Sequence, residues 1–175
     1  MEFYDVVRQR RSIRLYDKNR AVPAAAFDRI AEAVNAAPSA CNLQPWKVVV
    51  YTDPAMLEQI CECYRGQWLQ SAPAIAVIIG DADKCWVRKQ DNRDCLDIDA
   101  AIAMDHLILA ATAEGLGSCW ICAYDQQKLD SLLQLEAPLT TIALTPLGYG
   151  TEEPRTFVRK ELSEVFEVVS GEKKI

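Results

Sequence analysis

The sequence DAAIAMDHLILAATAE at residues 99–114, followed by GLGSCWIC at 115–122, decides the predicted fold. Asp99 starts a long predicted helix that Gly115 and Gly117 end, because glycine readily adopts the backbone conformation found just beyond a helix C-terminus. The helix is apolar nearly all round, so it must be buried, either in the core or against a second subunit. The apolar run SCWICA at 118–123 then predicts a short strand.

Outward from this helix, helical and strand-like segments alternate along the chain. The spacing of apolar residues predicts helices over about 3–10, 23–35, 54–64 and 125–133, and strands over 47–51, 74–80 and 140–150. The run AIAVIIG at 74–80 is typical of a central strand buried on both faces, and the polar segment 81–94 predicts a loop or lid. Because two helices precede the first strand, the pattern predicts an α+β fold with a central mixed or antiparallel sheet flanked by helices.

Composition excludes several classes of protein. The chain has 175 residues and a net charge of −6, and half of its residues are hydrophobic. No linker or repeat divides it, so we expect a single domain over residues 1–175. The acidic charge argues against nucleic-acid or anionic-membrane binding, and the longest apolar runs are far shorter than the ~20 residues that span a bilayer. Without an apolar signal segment, the chain is expected to be cytoplasmic.

The segment RQRRSIR at 8–14 concentrates positive charge in this acidic chain. It carries four arginines and Ser12 within seven residues. Guanidinium groups bind phosphate oxygens in a bidentate manner, and a serine hydroxyl adds a further donor. The alternative is a solvated, charged helix end, which the motif alone leaves open.

The segment APSACNLQPW at 37–46 connects a predicted helix to a predicted strand. Its neutral amide and hydroxyl groups suit a ligand with alternating donors and acceptors, such as a flavin ring or a nucleobase, and its prolines stiffen the backbone. A capped helix end followed by an irregular loop would explain the same residues.

Seven cysteines and one histidine supply the candidate nucleophiles and metal ligands. Cys119 and Cys122 form C-x-x-C, but on a strand they would point to opposite faces instead of forming a redox pair. A zinc or iron–sulfur site that also used Cys61 and Cys63 would lack the usual ligand spacing. His106 lies within the apolar helix and is predicted to be structural. This shortage of acid–base groups favours a cofactor that carries the chemistry itself.

Four motifs together resemble one enzyme family. RRSIRLY at 10–16, APSACNLQPW at 37–46, the long helix ending in GLGSCWI, and LGY at 147–149 match, in order and spacing, the nitroreductase family of FMN-dependent oxidoreductases. The resemblance covers essentially the whole chain and its length matches the short branch of the family. It implies an α+β fold in an intertwined homodimer, with two FMN sites at the subunit interface and a tail, about residues 150–175, that reaches onto the partner.

The resemblance also assigns roles to individual residues. It implies that the FMN phosphate is bound by Arg10, Arg11, Ser12, Arg14 and Arg159. The loop that reaches the flavin from the other subunit would contribute Pro38, Ser39, Ala40, Asn42 and Gln44. The backbone at Cys122 and Ala123 would lie near flavin N5 and O4, and Gln67 is a candidate for the pyrimidine edge. Phe157 stands where some members have a lysine, so Arg155 or Lys160 are alternative phosphate ligands.

The function implied is reduction of nitroaromatic, quinone or similar small-molecule acceptors. NAD(P)H would be a transient co-substrate, hydride would pass through flavin N5 in ping-pong turnover, and no protein side chain would be catalytic. The alternative from another class is a flavin-binding redox sensor or carrier dimer that NAD(P)H reduces negligibly. A third possibility is a thiol or metal protein built on Cys61, Cys63, Cys119 and Cys122.

Overall fold

A computed structural model describes residues 2–153 and 155–170. Its helices are α1 (Phe3–Gln9), α2 (Ala24–Asn35), α3 (Pro54–Cys61), α4 (Leu96–Ala113), α5 (Gln126–Leu132) and α6 (Leu162–Val165). Its strands are β1 (Trp46–Tyr51), β2 (Ala74–Asp81), β3 (Val87–Arg88), β4 (Arg93–Asp94), β5 (Gly117–Ser118) and β6 (Leu139–Gly148). The α+β class predicted from the sequence is confirmed.

The main sheet has the strand order β1-β2-β6-β5, and every neighbouring pair is antiparallel. β2 lies inside the sheet, and residues 74–80 are all buried, which confirms the predicted burial on both faces. The arm after α1 joins the β5 edge. There the Ile13 N–H donates to the Ser118 carbonyl oxygen at 2.9 Å, and Ser12 pairs in parallel with Ser118.

Alternate residues of β2 belong to two different hydrophobic cores, because successive side chains on a strand point to opposite faces. Ala76 and Ile78 pack in the core formed with α2 and α4. Ile75 and Val77 pack in the core that also contains buried residues of α3 and α5. The sheet is therefore covered by helices on both faces.

The helix α4 begins at Leu96, three residues before the predicted start at Asp99, and ends at Ala113. Gly115 follows with a φ of +74°, a conformation that glycine adopts without strain. Residues such as Met104 and Leu107 are fully buried, whereas Ile98 is 47% exposed. One side of α4 thus fills the core, and Ile98 near its start is left uncovered by its own chain.

Three other predicted elements differ from the structure. The helix predicted to reach about residue 64 ends at Cys61. The segment 81–94, predicted to be a loop, contains the β3–β4 hairpin. The strand predicted over 118–123 is regular only at β5, because the Cys119 N–H donates to Thr145 Oγ1 at 3.1 Å instead of to a strand carbonyl. In the described part of the chain, no helix combines the length and hydropathy needed to cross a bilayer.

Replacing Leu144 by alanine should lower the free energy of unfolding by about 2–5 kcal/mol, the usual cost of emptying a closed core position. Leu144 is fully buried in the middle of β6. The control is Leu139→Ala, on the same strand but 39% exposed, which should cost clearly less. Urea denaturation at one protein concentration measures the free energy of unfolding of both variants. If both lose the same amount, the assignment of Leu144 to the core would be contradicted.

The stability of the protein should fall between about pH 8.5 and pH 11. Burial raises the pKa of the Cys61 thiol to about 11, and neighbouring Cys63 adds to the shift. An unfolded cysteine titrates near pH 8.5, so the folded state holds its proton longer. The stabilisation is complete below the unfolded pKa and is lost as the pH rises through the folded one.

Cys61→Ala should therefore make the slope of unfolding free energy against pH less steep in this range, by at most about 1.4 kcal/mol per pH unit. Ile60→Val, at the neighbouring fully buried position of α3, is the matched control, because its side chain does not titrate and the variant should keep the wild-type slope. Denaturation curves at several alkaline pH values measure the slope, and an unchanged slope in Cys61→Ala would refute the assignment.

Candidate functional site

Three of the arginines predicted to bind phosphate lie together. The guanidinium carbon of Arg11 lies 4.2 Å from the centroid of the Phe157 ring, and that of Arg159 lies 4.5 Å from the same centroid. Phe157 therefore joins the C-terminal segment to the arm after α1. This arrangement stabilises two cations on one aromatic ring, since the ring's π-electrons attract positive charge.

Arg10 completes this arginine cluster. Its side chain is half-buried, and burial lowers its pKa, with further lowering by the charges of Arg159 and Arg11. Asp105 on α4 and Cys119 act in the opposite direction. Arginine stays protonated in proteins, so the cluster of Arg10, Arg11 and Arg159 keeps an excess of positive charge. A bound anion would relieve that repulsion.

Ser12 and Arg14 lie beside the cluster on the arm that pairs with β5. The Arg14 N–H donates to Glu152 Oε1 at 2.6 Å, which fixes the arm to the residues after β6. The buried thiol of Cys119 lies beside this arm. Burial raises the pKa of Cys119, while Arg14, Ser12 and Arg10 oppose the rise. Three of the four residues predicted from RRSIR, namely Arg10, Ser12 and Arg14, therefore act on one buried thiol.

The loop predicted to approach the flavin, here called the polar loop (residues 38–44), has an unusual backbone. Cys41, Asn42 and Gln44 have φ values of 51°, 55° and 49°, a left-handed conformation that costs most non-glycine residues about 1 kcal/mol or more. The loop holds itself in place: the Gln44 N–H donates to Ser39 Oγ at 2.9 Å, and Gln44 Nε2 donates to the Asn42 carbonyl oxygen at 3.0 Å. Such strain is typical of functional loops.

The polar loop is also anchored from outside. The Ala40 N–H donates to Asp99 Oδ1, on the first turn of α4, at 3.0 Å. Pro38, Asn42 and Gln44 remain exposed. In residues 2–153 and 155–170, no hydrogen bond, ion pair or ring contact joins this loop to the arginine cluster. The two groups of predicted ligands are therefore held by different parts of the chain.

Cys122 and Ala123 lie at an exposed edge beside β6. The backbone just before them is fixed, because Ile121 and Leu144 exchange N–H···O bonds of 2.9 and 3.0 Å. The indole N–H of Trp120 donates to Cys122 Sγ at 3.0 Å. Cys119 is buried whereas Cys122 is exposed, as expected for residues on opposite faces. In the part of the chain that the structure describes, no group of three or more metal-ligating side chains occurs.

Gln67 begins a short 3-10 helix over Gln67–Ser71 and is exposed. Its neighbours Tyr64 and Trp68 pack edge to face, with ring centroids 5.6 Å apart. The structure does not bring Gln67 into contact with the arginine cluster or the polar loop. The role predicted for it at a flavin edge stays a prediction.

The predicted ligands do not line the cavity beside α2 and α3. That cavity, of about 730 Å³, lies between α2, α3 and the segment before β2 and is lined by Phe27, Leu57 and Pro73 among others. None of the predicted site residues lines it. Gln44 of the polar loop lines a second cavity, of about 400 Å³, but no residue of the arginine cluster lines either cavity. A cofactor held by the arginine cluster would therefore need a second surface to enclose it.

Two residues that matter to this geometry had no predicted role. Phe157 was a departure from the family pattern, yet its ring joins Arg11 to Arg159. Asp99 was only the start of a helix, yet it anchors the polar loop. The sequence did contain one signal for the role of Asp99. A carboxylate in an otherwise apolar helix requires a hydrogen-bonding partner when it is buried.

Comparison with known proteins places this geometry in a family. The family model described as "Nitroreductase family" matches residues 7–71 and 54–149. An NADH dehydrogenase of Thermus thermophilus is 30% identical, with 83% of this chain and 85% of that protein covered.

Solved structures agree with the sequence match. The crystal structure of a nitroreductase family protein from Clostridium difficile 630 has a TM-score of 0.88 at 27% identity, covering 95% of this chain and 98% of that one. An FMN-dependent nitroreductase from Clostridium difficile R20291 has a TM-score of 0.79 at 27% identity, covering 93% and 96%. The sequence resemblance is thereby confirmed, and the chain belongs to the nitroreductase family.

Proposed function

We propose that this protein is an FMN-dependent NAD(P)H oxidoreductase that works as a homodimer and reduces small-molecule acceptors such as nitroaromatics or quinones. The observation that carries the proposal is the cluster of Arg10, Arg11 and Arg159 in a member of the nitroreductase family. The relatives support it, since one is named an NADH dehydrogenase and one solved structure an FMN-dependent nitroreductase.

The arginine cluster fits the phosphate of FMN in charge and in chemistry. Three guanidiniums repel one another, and Asp105 is the carboxylate that most offsets the charge on Arg10. A phosphate dianion removes this repulsion and accepts bidentate hydrogen bonds from guanidinium groups. Ser12, beside the cluster on the same arm, adds a hydroxyl donor. The residues present therefore suit the group that they are proposed to bind.

The polar loop fits the edge of a flavin ring. The Asn42 side chain is exposed, and its amide offers both a donor and an acceptor. The Gln44 side chain donates to the Asn42 carbonyl oxygen and keeps its own amide oxygen for another donor. Because the strained backbone of this loop is already fixed, binding would cost little ordering entropy.

A second copy of the chain supplies the missing enclosure in this proposal. Ile98 on α4 is 47% exposed, and in the C-terminal segment Val158 is 98% and Leu162 81% exposed. Apolar surfaces of this kind are typical of subunit interfaces. We propose that residues 155–170 pack on the partner and that its polar loop faces the arginine cluster. Residue 154 and residues 171–175 of the predicted tail lie outside the described part of the chain.

FMN, when bound, would supply at its N5 the position that accepts hydride from NAD(P)H and passes it to the final substrate. The chain's own residues bind and orient it. The backbone of Cys122 and Ala123, fixed by the neighbouring Ile121–Leu144 bridge, offers N–H donors near that edge. His106 Nδ1 lies 3.0 Å from the Ile102 carbonyl oxygen within α4, so it is not proposed as an acid or base.

One observation favours a second function, that of a flavin-binding redox sensor or carrier. The Trp120 indole donates to the exposed thiol of Cys122, next to the proposed ring position. A thiol there would respond to the redox state of a flavin without fast turnover. This alternative differs from the main proposal in one measurable way, because NADH and NADPH would reduce the bound FMN negligibly.

The experiment that tests the function starts with a visible spectrum of the purified protein after addition of FMN and gel filtration. We expect one FMN per subunit and loss of the visible flavin absorbance on anaerobic mixing with NADH or NADPH, followed by recovery when a quinone is added. A protein that retains no flavin would refute the proposal. Bound flavin that neither nicotinamide reduces would favour the sensor.

Arg159→Gln should raise the dissociation constant of FMN by about tenfold or more, because a hydrogen bond to a charged group contributes roughly 1.5–3 kcal/mol. Arg155→Gln is the matched control, since Arg155 carries the same charge in the same segment and is exposed. Quenching of FMN fluorescence measures both affinities. If Arg155→Gln weakens binding as much as Arg159→Gln, the cluster would not determine affinity: either net charge or Arg155, the alternative phosphate ligand, would do so.

A further inference from the structure

Asp99 is a buried carboxylate in an apolar helix. It is 2% exposed, and in the described part of the chain its Oδ2 has no hydrogen-bond partner. None of the ion pairs there involves it. Burying a carboxylate without a cation is costly, and an apolar residue of similar size would normally make the core more stable. Core packing therefore does not explain this residue.

The one hydrogen bond recorded for the Asp99 side chain holds the polar loop. Oδ1 accepts the Ala40 N–H at 3.0 Å, and Ala40 is the first residue of the 3-10 turn Ala40–Asn42. That turn continues through the Asn42 N–H to the Ser39 carbonyl oxygen at 3.0 Å and the Leu43 N–H to the Ala40 carbonyl oxygen at 3.1 Å. Asp99 therefore holds the residue just before the first left-handed residue, Cys41.

The loop needs such an anchor. Left-handed residues persist only when surrounding contacts over-determine them, and Cys41, Asn42 and Gln44 are all left-handed and exposed. The contacts within the loop come from its own residues, which move with it. The Asp99 contact comes from α4, which is fixed in the core by Ala100 and Ala103. The first turn of a helix is also a favourable place for negative charge.

We propose that Asp99 is a positioning residue, which fixes the backbone of the polar loop in its left-handed conformation before any ligand binds. Its effect on FMN rests on the function proposed above, whereas its effect on the loop does not. The requirement is an acceptor oxygen at this position and not a negative charge. Asp99→Asn keeps an acceptor and should preserve the loop, whereas Asp99→Ala removes it and should release the loop.

The test is hydrogen–deuterium exchange on the full-length protein without FMN. In Asp99→Ala we expect exchange at residues 40–44 to rise by about tenfold, as for loss of one ordinary hydrogen bond, with α5 unaffected. Asp99→Asn should stay near wild type. If Asp99→Ala does not fold, Asp99→Leu fills the space without an acceptor and takes its place.

The control is Leu129→Ala, which empties a fully buried position in the other core. This variant should lower the free energy of unfolding of the whole protein without raising hydrogen exchange at residues 40–44 more than elsewhere. The proposal would be overturned if residues 40–44 exchange at the wild-type rate in both Asp99→Ala and Asp99→Leu. It would also be overturned if Asp99→Asn raises their exchange as much as Asp99→Ala does.

Affinity for FMN, measured by fluorescence quenching, gives the second readout. Asp99→Ala should bind about tenfold more weakly and Asp99→Asn within about twofold of wild type. A wild-type protein that binds no FMN would refute the proposed function, while the exchange data would still decide the role of Asp99. If Asp99→Ala raises exchange in the polar loop but leaves the affinity for FMN unchanged, the proposed link between Asp99 and FMN binding would be overturned.

Discussion

The burial of α4 fixes one contact to each of the two groups of predicted ligands. Its first turn carries Asp99, which anchors the polar loop, and Asp105, further along, offsets the charge on Arg10. The turn after the helix leads into β5, where Gly117 allows the arm to approach: a Cβ at Gly117 would lie 2.9 Å from Ile13 Cβ. Because the helix is fixed in the core, the ligands around it are fixed as well.

The arginine cluster shows that local charge and net charge are separate properties. The chain carries a net charge of −6, yet Arg10, Arg11 and Arg159 lie together with limited compensation. Burial, followed by this repulsion, lowers the pKa of Arg10, and the repulsion is an electrostatic cost for the protein without ligand. A site of this kind is stabilised by the anion that it binds, so cofactor and folded state should support each other.

The sequence predicted the elements better than the contacts between them. Apolar periodicity was sufficient for β2 and α4, since burial on a sheet or helix leaves a direct pattern. It placed the start of α4 three residues late, because Leu96 is apolar but Asp97 and Asp99 interrupt the run. It also predicted a full strand over 118–123, which the Cys119–Thr145 bond interrupts. The positions of Phe157 and Asp99 were not predictable from spacing, because each depends on a partner far away in the chain.

The central claim is that a complete site needs the arginine cluster of one subunit and the polar loop of another. Subunit complementation tests it most directly. One subunit would carry Arg10→Gln and Arg159→Gln, the other Asn42→Ala and Gln44→Ala, with different affinity tags so that heterodimers can be isolated and their FMN content measured. In such a heterodimer with twofold symmetry, one interface site would contain an intact arginine cluster and an intact polar loop, and the other site would contain both mutated groups. The account therefore predicts about one FMN per heterodimer and almost none in either homodimer. Heterodimers that bind no FMN would contradict it.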